Sequence, residues 1–299
     1  MKCFICNNLA KKIKNNSKLY YLRCAKCDFE FIKDYKKIHK YTDYSSNGDY
    51  SYKISYNLKK SKFNEYEYRS KRIDEIIKKR KTKIRILDLG CGEGYFIKKF
   101  KKKAHIKGIE INKVLVNELV KKKLNFENID FLNYYPKEKY DLILLFATLE
   151  HLPDLDKCIQ HLKNHILSTK GKILLDVPSI KDPLSYYYNV KEYRELFYKR
   201  YHIYYFSKKS LVKIFNKHNL KIKVDLLQQA SITNHFNWIY KKKKQANSYM
   251  MSNPIIDNKV LNKKNTDMIN SIIDQTDTFY RKKLIEKGIS DLLFAEVSK

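Results

Sequence analysis

At 299 residues and 43% hydrophobic, the chain has room for one full α/β domain and a small accessory module, and it holds no apolar run long enough to span a membrane. A net charge of +31 invites a nucleic-acid reading, yet only 8 of the 63 basic residues are arginine and the lysines fall in short runs all along the chain, so a solvated basic surface fits better than a concentrated binding face. The opening MKCFICNN lacks the apolar stretch of a secretory signal, so the expectation is a soluble, cytoplasmic protein with no membrane insertion.

The first element is a cysteine framework, Cys3-x2-Cys6 followed by Cys24-x2-Cys27. Paired thiolates at this spacing converge on one tetrahedral zinc ion, and four protein ligands leave no open position, which predicts a structural zinc ribbon over residues 1–35. Asn7 and Asp28 follow the second cysteine of each pair, where a left-handed residue often sits. Asn and Asp are the non-glycine types that best tolerate that conformation. A segment this short buries too little apolar surface to fold alone, whereas zinc contributes about 10–16 kcal/mol in comparable peptides. A disulfide pair or a redox CxxC suits neither a chain without a signal nor a stretch without a βαβ pattern. Cys91 and Cys158 stand apart and read as ordinary small residues.

Residues 36–82 divide in two. Residues 36–57 are rich in Tyr, Ser and Asn with little periodicity, and read as a linker or a cofactor-covering segment. KFNEYEYRSKRIDEIIKKR then carries Phe63, Tyr66, Ile73, Ile76 and Ile77 on a helical period. From residue 83 to 299 strands and helices alternate. IRILDLG, HIKGIEI, NIDFL, YDLILLF, GKILLDVP, LKIKVDLLQ and DLLFAEVSK read as strands. YFIKKFKKKA, VLVNELVKKK, LDKCIQHLKNHIL and SKKSLVKIFNKHN read as helices. This predicts a Rossmann-like α/β fold: a seven-stranded, mostly parallel sheet with an antiparallel last strand, helices on both faces and ligands at the carboxyl ends of the strands. A helical insertion is expected at residues 229–288, before the last strand.

The stretch ILDLGCGEGYF runs the first of these strands into a turn with glycines at 90, 92 and 94. Such a turn lets backbone N–H groups approach a nucleotide-like ligand at a helix N-terminus. Asp88 stands inside the strand end, where a pyrophosphate would be repelled and a cofactor bearing ammonium and sulfonium charge attracted. Glu110, at the end of the second strand, suits the two hydroxyls of a ribose. The dinucleotide pattern would need glycine at the position of Tyr95. The cofactor read from these residues is S-adenosylmethionine (SAM).

DLGCGEG, GIEIN, DFL at 130–132 and YDLILLFATLEHLPD resemble the successive motifs of class I SAM-dependent methyltransferases. The four-cysteine start together with YHIYYFSKKSL resembles a narrower group that includes sugar C-methyltransferases, and an NHxxW segment, here NHFNW, recurs in polysaccharide-cluster members of that group. The resemblance covers most of residues 1–228 and the last strand. It implies that Asp88, Gly90, Gly92 and Gly94 hold the methionine moiety, Glu110 the ribose, and Asp130 with Phe131 the adenine. It implies that Phe146 lines the pocket beside the methyl group.

Because SAM carries an activated methyl, the protein has chiefly to align an acceptor and remove a proton. His202, in YHIYYFS, is the leading candidate base, on a loop after the fifth strand. His151, in LEHLPD, reads equally as a second catalytic group or as a residue that orients its loop. Sugar C-methyltransferases commonly have an acid before the loop histidine, where this chain has Tyr201, a departure that favours the less demanding oxygen methylation. The tyrosine-rich SYYYNVKEYRELFYKRY reads as a substrate lid. His235 and Trp238 read either as acceptor contacts or as the insertion's own core. The acceptor expected is a small polar molecule, a sugar or nucleotide-sugar. The competing reading is an RNA methyltransferase that grips its substrate with the ribbon and the lysines. Against it, FATL occupies the position where base N-methylation typically uses N/D-P-P-Y/F.

Overall fold

The computed structural model describes residues 1–13, 20–33, 65–199, 201–243 and 262–299; residues 36–57, read above as a linker or covering segment, lie outside the described residues. The main sheet is built from β4 (Arg85–Leu89), β5 (His105–Ile109), β6 (Phe126–Glu127), β7 (Tyr140–Phe146), β8 (Leu167–Pro178), β10 (Lys221–Leu227) and β11 (Leu292–Ser298). Its order is β10-β11-β8-β7-β4-β5-β6. The last strand, β11, runs antiparallel to both neighbours and the other described pairings are parallel. The predicted sheet class is therefore the observed one.

Alternation along each strand divides the core. Leu142, Leu144 and Phe146 of β7 face one side with Ile73 and Ile76 of α1 (Glu65–Lys78) and Phe96 and Phe100 of α2 (Tyr95–Phe100). Ile143 and Leu145 face the other, where α4 (Leu155–His161) and α6 (Lys208–Lys217) bury Ile159, Leu211 and Phe215. Near-continuous apolar runs such as residues 142–146 are what a sheet covered on both faces requires. α3 (Lys113–Lys121) links β5 to β6.

One element differs from the sequence reading. NIDFL is not the third strand; β6 is the two residues Phe126–Glu127, and Asp130 caps a short 3₁₀ turn, Phe131–Asn133, by accepting from Leu132 N at 3.0 Å. An Asp in a short apolar run serves a turn better than a ladder.

The cysteine segment forms a second, four-stranded antiparallel sheet, β1 (Ala10–Lys12), β2 (Tyr21–Cys24), β3 (Glu30–Ile32) and β9 (Tyr204–Tyr205). The fourth strand comes from far along the chain, pairing Glu30 with Tyr205 and Phe31 with Tyr204. Phe29 stacks between Phe31 and Tyr204 and also meets Phe206, all four fully buried. Beyond β8 lie α5 (Lys191–Phe197) and, before β11, α7 (Ile232–Lys241) and α8 (Lys263–Glu286). Among the described residues no helix is long and apolar enough to cross a membrane.

Phe29→Ala is expected to cost about 3–5 kcal/mol in urea unfolding, the range for deleting a fully enclosed aromatic ring.

Candidate active site

The site starts where β4 ends. Gly90, Gly92 and Gly94 all take positive φ, at 72, 55 and 76°. Gly90 N and Cys91 N donate to the Ile109 carbonyl at 2.9 and 3.1 Å, tying the loop to β5. At Gly90 a Cβ would stand 2.7 Å from Thr148 Oγ1, so glycine is demanded by contact as well as by φ. Gly94 caps α2, and a Cβ there would overlap Leu119 and Leu124.

Two acids face this loop. The Glu110 carboxylate accepts from Gly92 N, Ile111 N and Asn112 N, each at 2.9 Å. Burial raises its pKa, and those amides oppose the rise. Asp88 is 3% exposed, and its Oδ2 has no hydrogen-bond partner among the described residues. Burial, with the nearby Glu110 adding to it and Arg69 opposing, pushes Asp88 up to about 7. A buried carboxylate oxygen without a donor is costly and is matched by a cation. Asp88 and Glu110 therefore fit a ligand with positive charge and hydroxyl donors, as a SAM site requires.

Phe131 is buried against the ring of His161, beside the capping Asp130. Phe146 packs on Phe96 and Phe294, with the Arg69 guanidinium 5.0 Å over its ring. Just past it Ala147 takes a left-handed φ of 46° and donates its N–H to Asp176 Oδ1 at 2.8 Å. Arg69 grips the same carboxylate through two bonds, Nε at 2.6 Å and a terminal nitrogen at 3.0 Å. The Thr148 hydroxyl lies 2.9 Å from the Phe146 carbonyl and 3.1 Å from that of Leu89, bridging the ends of β7 and β4.

The two predicted histidines come together. His151 and His202 have ring centroids 4.8 Å apart, and Glu150 joins them, its Oε1 3.8 Å from His151 Nε2. Burial holds His151 down at about 4 and His202 well below the ordinary imidazole value, so both rings are neutral. Burial pushes Glu150 up to about 8. His235 and Trp238 lie elsewhere, on α7. Trp238 packs with Leu184 and Val190 in a small core, and His235 Nδ1 lies 2.6 Å from the Tyr280 hydroxyl.

The four cysteine sulfurs also converge, with Sγ separations of 3.7 Å for Cys3–Cys27, 3.4 Å for Cys6–Cys24 and 3.5 Å for Cys6–Cys27. Sulfurs about 2.3 Å from a tetrahedral ion stand about 3.8 Å apart, so the set matches a metal-sized shell. Asn7 and Asp28 are left-handed, at φ 60 and 57°. A separate groove of about 750 Å³, lined by Arg85, His105 and Tyr140, sits at the amino ends of β4 and β5, away from the glycine loop.

A family model described as "Methyltransferase domain" matches residues 61–223. The chain belongs to the class I SAM-dependent methyltransferase family. An uncharacterized protein of Methanocaldococcus jannaschii is 31% identical over 153 residues, 48% of this chain and 41% of that one. A malonyl-[acyl-carrier protein] O-methyltransferase of Bacillus anthracis is 35% identical over 101 residues, 31% of this chain and 37% of its own length. The methyltransferase chain thus spans about two fifths of the length of these curated relatives. The plantazolicin methyltransferase BpumL, solved with a triazolic desmethylPZN analogue and SAH, superposes with a TM-score of 0.53 at 17% identity, covering 89% of this chain and 98% of that one. The likeness is one of fold.

Sequence reasoning missed Arg69, Asp176, Thr148 and Glu150. A signal for Asp176 was present, since an acid inside the apolar run ILLDVP needs a buried partner. Arg69→Ala is expected to cost about 3–5 kcal/mol by leaving that carboxylate buried without its charge partner, and Arg69→Met with Asp176→Asn less than the two single changes summed. Denaturant titration of Arg69→Ala, of the two single changes and of the double variant measures both.

Proposed function

We propose that this methyltransferase transfers the methyl group of SAM to a small polar acceptor, a sugar or nucleotide-sugar. The observation that carries the cofactor assignment is the buried, donor-less Oδ2 of Asp88 beside Glu110 at the glycine loop. Asp88 and the loop of Gly90, Gly92 and Gly94 would hold the methionine end, Glu110 the ribose, and Asp130 with Phe131 the adenine. Phe146 would wall the reacting end. SAM supplies a methyl already activated on a sulfonium. What remains for the chain is to exclude water, orient the acceptor and take its proton.

His202 is the proposed base and His151 its neighbour. Both are neutral at physiological pH and so carry a free lone pair, although burial disfavours the protonated form of each and a charged partner is needed to make either an effective base. The exposed rings of Tyr186, Tyr187 and Tyr188 supply stacking surface for a sugar or a base. The carbohydrate assignment is supported by the joint resemblance of the cysteine module, YHIYYFS and NHFNW to the sugar-modifying group. His235 and Trp238 would then act by shaping the core behind the tyrosines. The Cys3, Cys6, Cys24 and Cys27 thiolates would hold a structural zinc ion, consistent with their Sγ separations. Residues 1–35 are read as that ribbon, 36–82 as linker and leading helix, and 83–299 as the catalytic domain with its insertion at 229–288.

Calorimetry with SAM tests the cofactor reading: binding is expected, and Glu110→Ala should abolish it. Pairing with a cationic methionine needs Asp88 ionised, so affinity should climb as pH rises from about 5 to about 7, and stay flat in Asp88→Asn. The sign for stability is opposite. The ligand-free fold binds the Asp88 proton more tightly than the unfolded chain, so it loses stability as pH rises from about 4 toward 7, and Asp88→Asn should remove that loss. Absence of SAM binding by the wild-type protein would refute the reading.

Elemental analysis is expected to find at least one zinc per chain, and chelation to lower the melting temperature. A metal-free protein that melts at the same temperature would remove the ribbon.

A further inference from the structure

The cluster of Glu150, His151 and His202 has a feature that a lone general base does not require. His151 Nδ1 lies 2.7 Å from the Tyr201 carbonyl, and a carbonyl only accepts, so Nδ1 carries the proton and Nε2 the lone pair. His202 Nδ1 lies 3.1 Å from the Tyr205 hydroxyl. That hydroxyl spends its own hydrogen on the Phe197 carbonyl, so it accepts from Nδ1, and Nε2 again carries the lone pair. Two half-buried imidazoles are thus locked in the same tautomer, each by an acceptor behind it. This is the outer-shell arrangement that orients histidine ligands. Glu150 supplies the third group. It is 1% exposed, and its Oε2 has no hydrogen-bond partner among the described residues.

We propose that Glu150, His151 and His202 bind one divalent transition-metal cation, and that its open positions receive an oxygen donor of the methyl acceptor. One ligand atom from each residue lies within 4.8 Å of the others. Ligands about 2.0–2.2 Å from such an ion stand about 3–3.5 Å apart, so side-chain rotations of about 1 Å close the shell. Two imidazoles select zinc, cobalt, iron or nickel over magnesium and calcium, which take oxygen ligands. Two histidines and one carboxylate leave positions open, unlike the four thiolates of the cysteine module. With one carboxylate and two neutral rings, the site keeps a net positive charge on a divalent ion. It therefore stabilises a deprotonated acceptor oxygen next to the end of β7.

This deepens the methyl-transfer reading and rests on it for the acceptor alone. His202 then serves as a ligand in place of taking up the proton itself: the metal lowers the acceptor's pKa and the acceptor proton leaves to solvent water.

The test uses the full chain as isolated, with its native metal content, equilibrated with Co2+ and desalted. One cobalt per chain is expected with visible bands but no thiolate charge transfer, which separates it from any exchange at the cysteines. Its proton spectrum should show two hyperfine-shifted signals that vanish in D2O, the Nδ1–H groups of His151 and His202. Glu150→Gln and His202→Gln should lose this cobalt. Tyr205→Phe, which removes the acceptor behind His202 together with the hydroxyl's bonds to the Phe197 carbonyl and Lys199 N but leaves all three ligands in place, should weaken it about 10–100-fold. Wild-type protein that binds no cobalt outside the thiolate set, or variants that bind it as wild type does, would overturn the proposal. SAM calorimetry on the same wild-type preparation separates the two readings: SAM binding without cobalt sinks only the metal site, and cobalt without SAM only the cofactor assignment.

Discussion

Two residue pairings, Glu30 with Tyr205 and Phe31 with Tyr204, join the cysteine module to the large domain, and the geometry of both histidines depends on them. The segment that carries His202 is held from both sides. On the module side the Tyr21 hydroxyl bonds the carbonyls of Lys199 and His202, each at 2.8 Å, and Ile32 N donates to the Ile203 carbonyl at 3.1 Å. On the domain side Ile203 N donates to the Glu150 carbonyl at 2.9 Å, and His151 reaches the Tyr201 carbonyl. A loop left to itself could not keep an imidazole within contact of another across such a sequence distance, because every fixed backbone residue costs roughly 1–2 kcal/mol of conformational entropy. The small sheet offsets that cost with aromatic burial.

Electrostatics at the strand ends follow from burial more than from pairing. Asp88, Glu110 and Glu150 are all pushed upward, in each case by burial first. Arg69 opposes the rise at Asp88 and Glu150, yet its guanidinium is already committed to Asp176 in two bonds. Glu110 is compensated by three backbone amides, whereas Asp88 and Glu150 each keep an oxygen with no described donor and favour cationic ligands that would recover part of the desolvation cost. The same logic reads the glycine loop and the histidine cluster alike, one toward an organic cation and the other toward a metal.

What could be read from sequence was what is local. The glycine turn, the strand of β7 and the left-handed Asn7 and Asp28 each follow from a few adjacent residues, so pattern and backbone preference sufficed. NIDFL misled because a run of five residues fits a strand or a capped turn equally well, and the hydrogen bond from Leu132 N to Asp130 decides it. Arg69 and Asp176 stand 107 residues apart, and the helix carrying Arg69 reads as an ordinary amphipathic lead-in. β9 is only two residues long, too short for any periodicity, so the link between the module and His202 is invisible before the chain is folded.

That link also bears on why a cysteine module accompanies this fold. A domain meant to grip a polyanion should turn its distinctive surface outward. Here Tyr21, Phe29 and Phe31 are fully enclosed against Tyr204, Tyr205 and Phe206, and Glu30, an acid, is buried with Arg23 and the Tyr198 hydroxyl. Ser207, which caps the helix after β9, donates its hydroxyl to the Cys27 carbonyl at 2.8 Å. The cysteine turns are therefore wired to the backbone on either side of β9. Any ion held by the thiolates would act on the site through that strand, stiffening the segment that presents His202. The module's contacts are those of a clamp on the segment that carries His202, and they turn its distinctive side chains inward against that segment and not outward toward a polymer.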